Sequence, residues 1–281
     1  MARPGWAPIG IALLLLSLAA AVLLRPAEDG LLQLANPRGE RVAEVEQLFD
    51  SLPTDRALVL VGMDPDLGTY PEIRPATRAA FDDLLRRGAR LAFVSYSAEG
   101  RAIAAAEMRR LLDDGALPGA VLDLGFVSGS EAGMVRSVTE ILPSAAEGPL
   151  SEAIRAGGGG MTAFSLGVVV GGTEMNARSW VEQVGTRVPE LPLLAIGPTF
   201  LQPELQPYLR SGQLAGLLAT ARDDAGYVAA VVDADPRVGP SVLEQPPSAA
   251  ALLIGMLLAL VVILVSLLRR TPDSGVAATD R

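Results

Sequence analysis

The sequence predicts an α/β protein built on a three-layer, mostly parallel sheet of about six strands, flanked by an N-terminal and a C-terminal transmembrane helix. Three observations carry this expectation. Short apolar runs alternate with helix-period stretches through the middle of the chain. Residues 248–268 hold no charged residue and are followed at once by Arg269 and Arg270. A second uncharged run, residues 7–24, ends at Arg25.

Each uncharged run is long enough to span a bilayer, because about 20 apolar residues at about 1.5 Å each cross a hydrocarbon core of about 30 Å. The first reads as a signal anchor. Its 18 residues exceed the usual apolar stretch of a cleaved signal peptide, although Ala19 and Ala21 offer a small-x-small cleavage pattern. Arg3 lies before the first run, and Arg269 and Arg270 lie after the second. The positive-inside tendency therefore places both termini in the cytoplasm and the middle of the chain outside it, at a plasma membrane. The expected organisation is an N-terminal anchor (1–25), a linker with an amphipathic helix (26–56), an extracytoplasmic α/β domain (57–236), a Pro-rich tether (237–247), a second span (248–268) and a cytoplasmic tail (269–281).

Within the domain the elements follow in order. Val42, Val45, Leu48, Phe49 and Leu52 recur at helical spacing with acids between them, and Pro53 stops the helix. Apolar runs at 57–61, 90–94, 120–124, 166–170, 193–196 and 214–218 suit strands buried on both faces. Helical stretches at 77–87, 99–112, 130–142, 174–184, 202–209 and 225–232 alternate with them, with Ser97, Ser130 and Thr173 as expected N-caps. Strand and helix in alternation give a Rossmann-like, mostly parallel sheet with right-handed crossovers, whose strand order the sequence leaves open. The segment 147–161, with Pro149 and the run Gly157 to Gly160, reads as a flexible connection between two halves of the sheet. Trp180 reads as a core residue.

Composition excludes several functions. The chain has 281 residues, no His and no Cys, and all of its 23 basic residues are Arg. A Ser-His-Asp triad, a thiolate, a Schiff-base lysine and a His/Cys zinc site are all ruled out. Between Arg25 and Pro247 the charge is 19 − 30 = −11, which disfavours nucleic acid and anionic lipid headgroups as partners.

Chemistry is concentrated at the strand ends. Asp64 and Asp66 follow the first strand in VGMDPDLGTY, where open α/β sheets collect ligands. Paired acids there could hold Mg²⁺, or one could attack a phosphoryl group while the other moves a proton. Pro65 and Gly68 also build a turn in which the aspartates cap the following residues. Thr69, Ser95, Gly172 and Thr173 complete a candidate crevice with the two aspartates, Asp64 and Asp66 being the candidate metal ligands. The loops 125–133 and 197–199 could line the same crevice or form ordinary turns.

Asp64, Asp66 and Thr69 resemble the first motif of haloacid-dehalogenase-type phosphatases, and Ser95 corresponds to that family's phosphate-binding Ser or Thr. The family pattern places its Thr where this chain has Gly68, and it uses a later Lys for which only Arg101 or Arg109 stands here. A later acidic motif would fall at Asp223 and Asp224. The segments VGMDPDLGTYPE, ARLAFVSYS, SWVEQVG and PYLRSGQLAGLL resemble a group of uncharacterised bacterial membrane proteins with this two-span layout. That resemblance implies the architecture and supplies no activity.

Two functions follow as expectations. The first is a non-catalytic binding or assembly module that meets membrane or envelope proteins. The second is a Mg²⁺-dependent phosphohydrolase using Asp64 and Asp66.

Overall fold

The structure is a computed structural model that describes residues 40–234, apart from 55, 118, 145 and 174. These residues belong to one compact unit, Pro37–Gly239. Both expected spans, the tether and the tail lie outside the described residues. Among the described residues, no helix is long and apolar enough to cross a membrane.

A first helix, α1 (Glu40–Asp50), leads into β1 (Leu58–Asp64), α2 (Tyr70–Arg86), β2 (Arg90–Ser95), α3 (Ala98–Asp113) and β3 (Val121–Phe126). The chain continues through α4 (Ser130–Ser137), α5 (Pro149–Ala156), β4 (Leu166–Gly171), α6 (Ala177–Trp180), β5 (Leu193–Ile196), α7 (Gln202–Arg210), β6 (Gly216–Leu218) and α8 (Ala221–Ala234). The six strands pair in parallel in the order β3-β2-β1-β4-β5-β6. This is the Rossmann-type order, and its direction reverses between β1 and β4.

Continuous apolar runs form these strands because both sheet faces are covered. Val59, Val61 and Met63 enter a core with α1, α2, α3 and α8. Leu60 enters a second core on the opposite face with α4, α5, α6 and α7. Trp180, 1% exposed, anchors that second core as expected. Its indole lies so close over β1 that a Cβ on Gly62 would sit 2.1 Å from Cζ2.

Several boundaries differ from the sequence expectation for identifiable reasons. α2 begins at Tyr70 rather than 77, since Pro71 falls in its first turn, where the missing N–H is an orphan in any case. Residues 147–161 are not a plain linker. Pro149 opens α5, and Leu150 and Ile154, one turn apart, are buried. Ser97 caps α3 as expected, its Oγ accepting from Gly100 N at 3.1 Å. Thr173 caps no helix. Asn176 performs that role for α6 by accepting from Arg178 N at 2.9 Å. Gly129, with φ of 100°, precedes α4 in the place expected for a Ser130 cap.

Candidate functional site

β1 delivers Asp64 to the point where the strand order reverses, level with Gly171 at the end of β4. The carboxylate turns toward the start of α3. Its Oδ1 accepts from Tyr96 N at 2.6 Å, from Ser97 N at 2.7 Å and from Ser97 Oγ at 2.9 Å. Its Oδ2 is buried and has no partner among the described residues. Burial pushes the Asp64 carboxyl up to about 6, against the pull of the hydrogen bonds from Tyr96 and Ser97.

Asp66 joins the two sides of the switch point. Its Oδ1 accepts from Thr69 N at 2.9 Å and Thr69 Oγ1 at 2.7 Å, and its Oδ2 accepts from Thr173 N at 3.0 Å and Thr173 Oγ1 at 3.2 Å. Slight desolvation opposes ionisation, but the bonds from the Thr69 hydroxyl and from Thr173 win and hold the group below the ordinary carboxylate range. Gly172 permits this closure. A Cβ there would lie 2.5 Å from Asp66 Oδ2 and 2.7 Å from Asp66 N.

The expected crevice residues thus divide. Asp64, Asp66, Thr69, Gly172 and Thr173 meet at the ends of β1 and β4. Ser95 is buried in β2, and its Oγ has no partner among the described residues. Alternation along β2 puts it on the face of Phe93, whereas Asp64 shares the face of Leu60 and Gly62. Ser95 therefore points into the core with Phe93 and is not among the groups that bond Asp64. Arg101 is held bidentate by Asp123 at 2.7 and 2.6 Å, while Arg109 stands exposed well along α3.

Two acids that sequence reasoning passed over also belong to this edge. Glu99 Oε2 accepts from Leu67 N at 2.7 Å. Glu72 Oε1 accepts from Thr199 N at 2.8 Å and Thr199 Oγ1 at 2.7 Å. Each is an acid in the first turn of a helix, a placement that the helix dipole favours everywhere, so nothing in the sequence separates them from ordinary first-turn acids. Asp223 closes a reciprocal cap with Thr220, its N–H donating to Thr220 Oγ1 at 3.0 Å while that hydroxyl donates to Asp223 Oδ2 at 2.6 Å. Asp224 is buried beside it, and burial, then Asp223 and Glu72, push its carboxyl well up. Among the described residues, no three acidic side chains are grouped to hold a metal ion.

The edge is therefore largely self-saturated. N–H groups of Leu67, Thr69, Tyr96, Ser97, Thr173 and Thr199, at the ends of β1, β2, β4 and β5, all donate to the protein's own carboxylates. Removing Asp66 tests this arrangement. Asp66→Ala should cost about 2 kcal/mol in chemical denaturation, since it strips four hydrogen bonds from two loops, some of them exposed. Replacing a catalytic or metal-ligating aspartate usually leaves stability unchanged or raised. A change within about 0.5 kcal/mol of zero would remove Asp66 from this structural role.

Comparison with family models, with curated proteins and with solved structures finds no match for this chain.

Proposed function

We propose that the chain is a membrane-anchored α/β domain that works as a non-catalytic binding module within a membrane complex. One observation carries this reading: the backbone donors that an α/β enzyme turns toward an anionic substrate are here occupied by Asp64, Asp66, Glu72 and Glu99. An incoming phosphate would have to displace carboxylates of its own charge. The double anchor supports the location, since the uncharged runs 7–24 and 248–268 would hold the domain at the plasma membrane.

One experiment addresses both address and activity, using the full chain. The natural absence of Cys allows single cysteines at Thr186 and Ser274. A membrane-impermeant maleimide applied to intact cells should label the first and spare the second. The same chain, extracted in mild detergent, should co-migrate with other membrane proteins. It should show neither a melting shift with Mg²⁺ nor hydrolysis of a generic phosphomonoester. Mg²⁺ stabilisation of the wild type that Asp64→Asn abolishes, accompanied by turnover, would replace this reading with the phosphohydrolase. The observation favouring that second reading is the unpartnered Asp64 Oδ2 at the switch point.

A further inference from the structure

The ends of the strands carry an unusual surface. Leu67 after β1, Phe126 at the end of β3 and Phe200 after β5 are 62%, 50% and 54% exposed. All three lie on the C-terminal edge of the sheet, on every second strand of the order β3-β2-β1-β4-β5. With neighbouring strands about 4.8 Å apart, the alternate strand ends from which these residues extend are about 10 Å apart. Two turns of an α-helix advance about 10.8 Å. A helix laid across the strand ends therefore matches this row with apolar residues seven positions apart.

Charge decides which helix. Glu72 and Glu99, in the first turns of α2 and α3, stand on one side of the row, and Glu131, in the first turn of α4, stands on the other. All three are exposed. Three of the arginines at this edge are already paired with acids: Arg41 with Asp223, Arg101 with Asp123, and Arg178 with Glu182 and Glu204. We infer that the C-terminal rim is the docking surface for a cationic amphipathic helix of a partner membrane protein. This rests on the binding-module reading and supplies its partner chemistry.

Other occupants fit less well. Nucleic acid and anionic lipid would meet like charge. A second copy would have to offer its own exposed apolar surface, and on the opposite edge Leu112 and Leu117 are accompanied by Asp113 and Asp114. That contact sets acids against acids.

The test uses the full chain in phosphatidylcholine nanodiscs, with empty discs as the blank. The probe is a fluorescent helical peptide of about five turns, bearing leucines at every seventh position among alanines and lysines. Wild type should bind it, with binding weakened by salt and absent for the same peptide carrying glutamate in place of lysine. The combined variant Leu67→Ser, Phe126→Ser, Phe200→Ser should bind at least about tenfold more weakly at unchanged melting temperature. Leu67→Ser alone, the most exposed site, should weaken binding in the same direction. Equal binding by the variants, or by a peptide whose leucines are scrambled, overturns the inference. If the triple variant still enters the complex that wild type forms in mild detergent, the rim is wrong and the module reading stands. If wild type forms no such complex, the module reading itself fails.

Discussion

Gly100→Ala is expected to lower the melting temperature of the domain by about 10 °C, from a loss of about 3 kcal/mol at about 3 °C per kcal/mol for a unit of this size. Helix propensity alone predicts the opposite sign, because alanine is favoured over glycine in a helix by about 1 kcal/mol. Packing reverses it. A Cβ at Gly100 would lie 2.2 Å from the carbonyl oxygen of Met63 and 2.6 Å from Cα of Asp64. Both are backbone atoms of β1, a central strand hydrogen-bonded on each side, so neither can yield. The start of α3 must retreat, and it carries with it the Tyr96 and Ser97 donors that hold Asp64. Thermal and chemical unfolding of the variant decide the matter. An unchanged or higher melting temperature would mean that α3 does not sit against β1 as described.

The pH dependence of stability is expected to change sharply with Asp64→Asn. The ordinary value for an aspartate is 3.8, and in the fold Asp64 is raised to about 6 by burial. Below the unfolded value the carboxyl is protonated in both states and contributes no penalty. As pH rises toward the folded value, the unfolded chain ionises first and the fold loses stability relative to it. The loss is complete above about 6, and a rise from 3.8 to about 6 corresponds to about 3 kcal/mol. Asparagine does not titrate. The stability of Asp64→Asn minus that of wild type should therefore rise by about 3 kcal/mol between about pH 4 and about pH 7. Asp224 is shifted in the same direction, but it is common to both proteins and cancels in the difference. A flat difference would place Asp64 in contact with water.

Asp64 and Asp66 illustrate why neighbouring residues of one type take different roles. They are separated only by Pro65, yet one is buried with an unpartnered oxygen and the other is a shallow clamp with both oxygens engaged. Their joint appearance after a buried strand was legible in VGMDPDLGTY, and so was the expectation that Thr69, Gly172 and Thr173 would share their neighbourhood. That Thr173 would donate to Asp66 itself, closing it into a clamp, was not legible. Thr173 lies 107 residues away along the chain, and only the pairing of β4 with β1 brings it there. Ser95 shows the converse. Its place at a strand end suggested a phosphate ligand, but strand alternation turned it into the core with Phe93.

Fold class, the alternation of strands and helices, the Ser97 cap and the burial of Trp180 were determined by the sequence itself, because each depends on local periodicity or on the side chain's own polarity. The helix α5 escaped because Gly157 to Gly160 suggested flexibility, whereas burial of Leu150 and Ile154 makes the preceding turns worth forming. Tertiary structure alone decided the strand order and, through it, which loops meet. It also decided that the edge donors are spent on internal carboxylates, since Glu72 and Glu99 are indistinguishable in sequence from acids that merely complement a helix dipole. Hydrogen bonds between residues 32 to 127 positions apart depend on where the strands pair, and no local pattern encodes that.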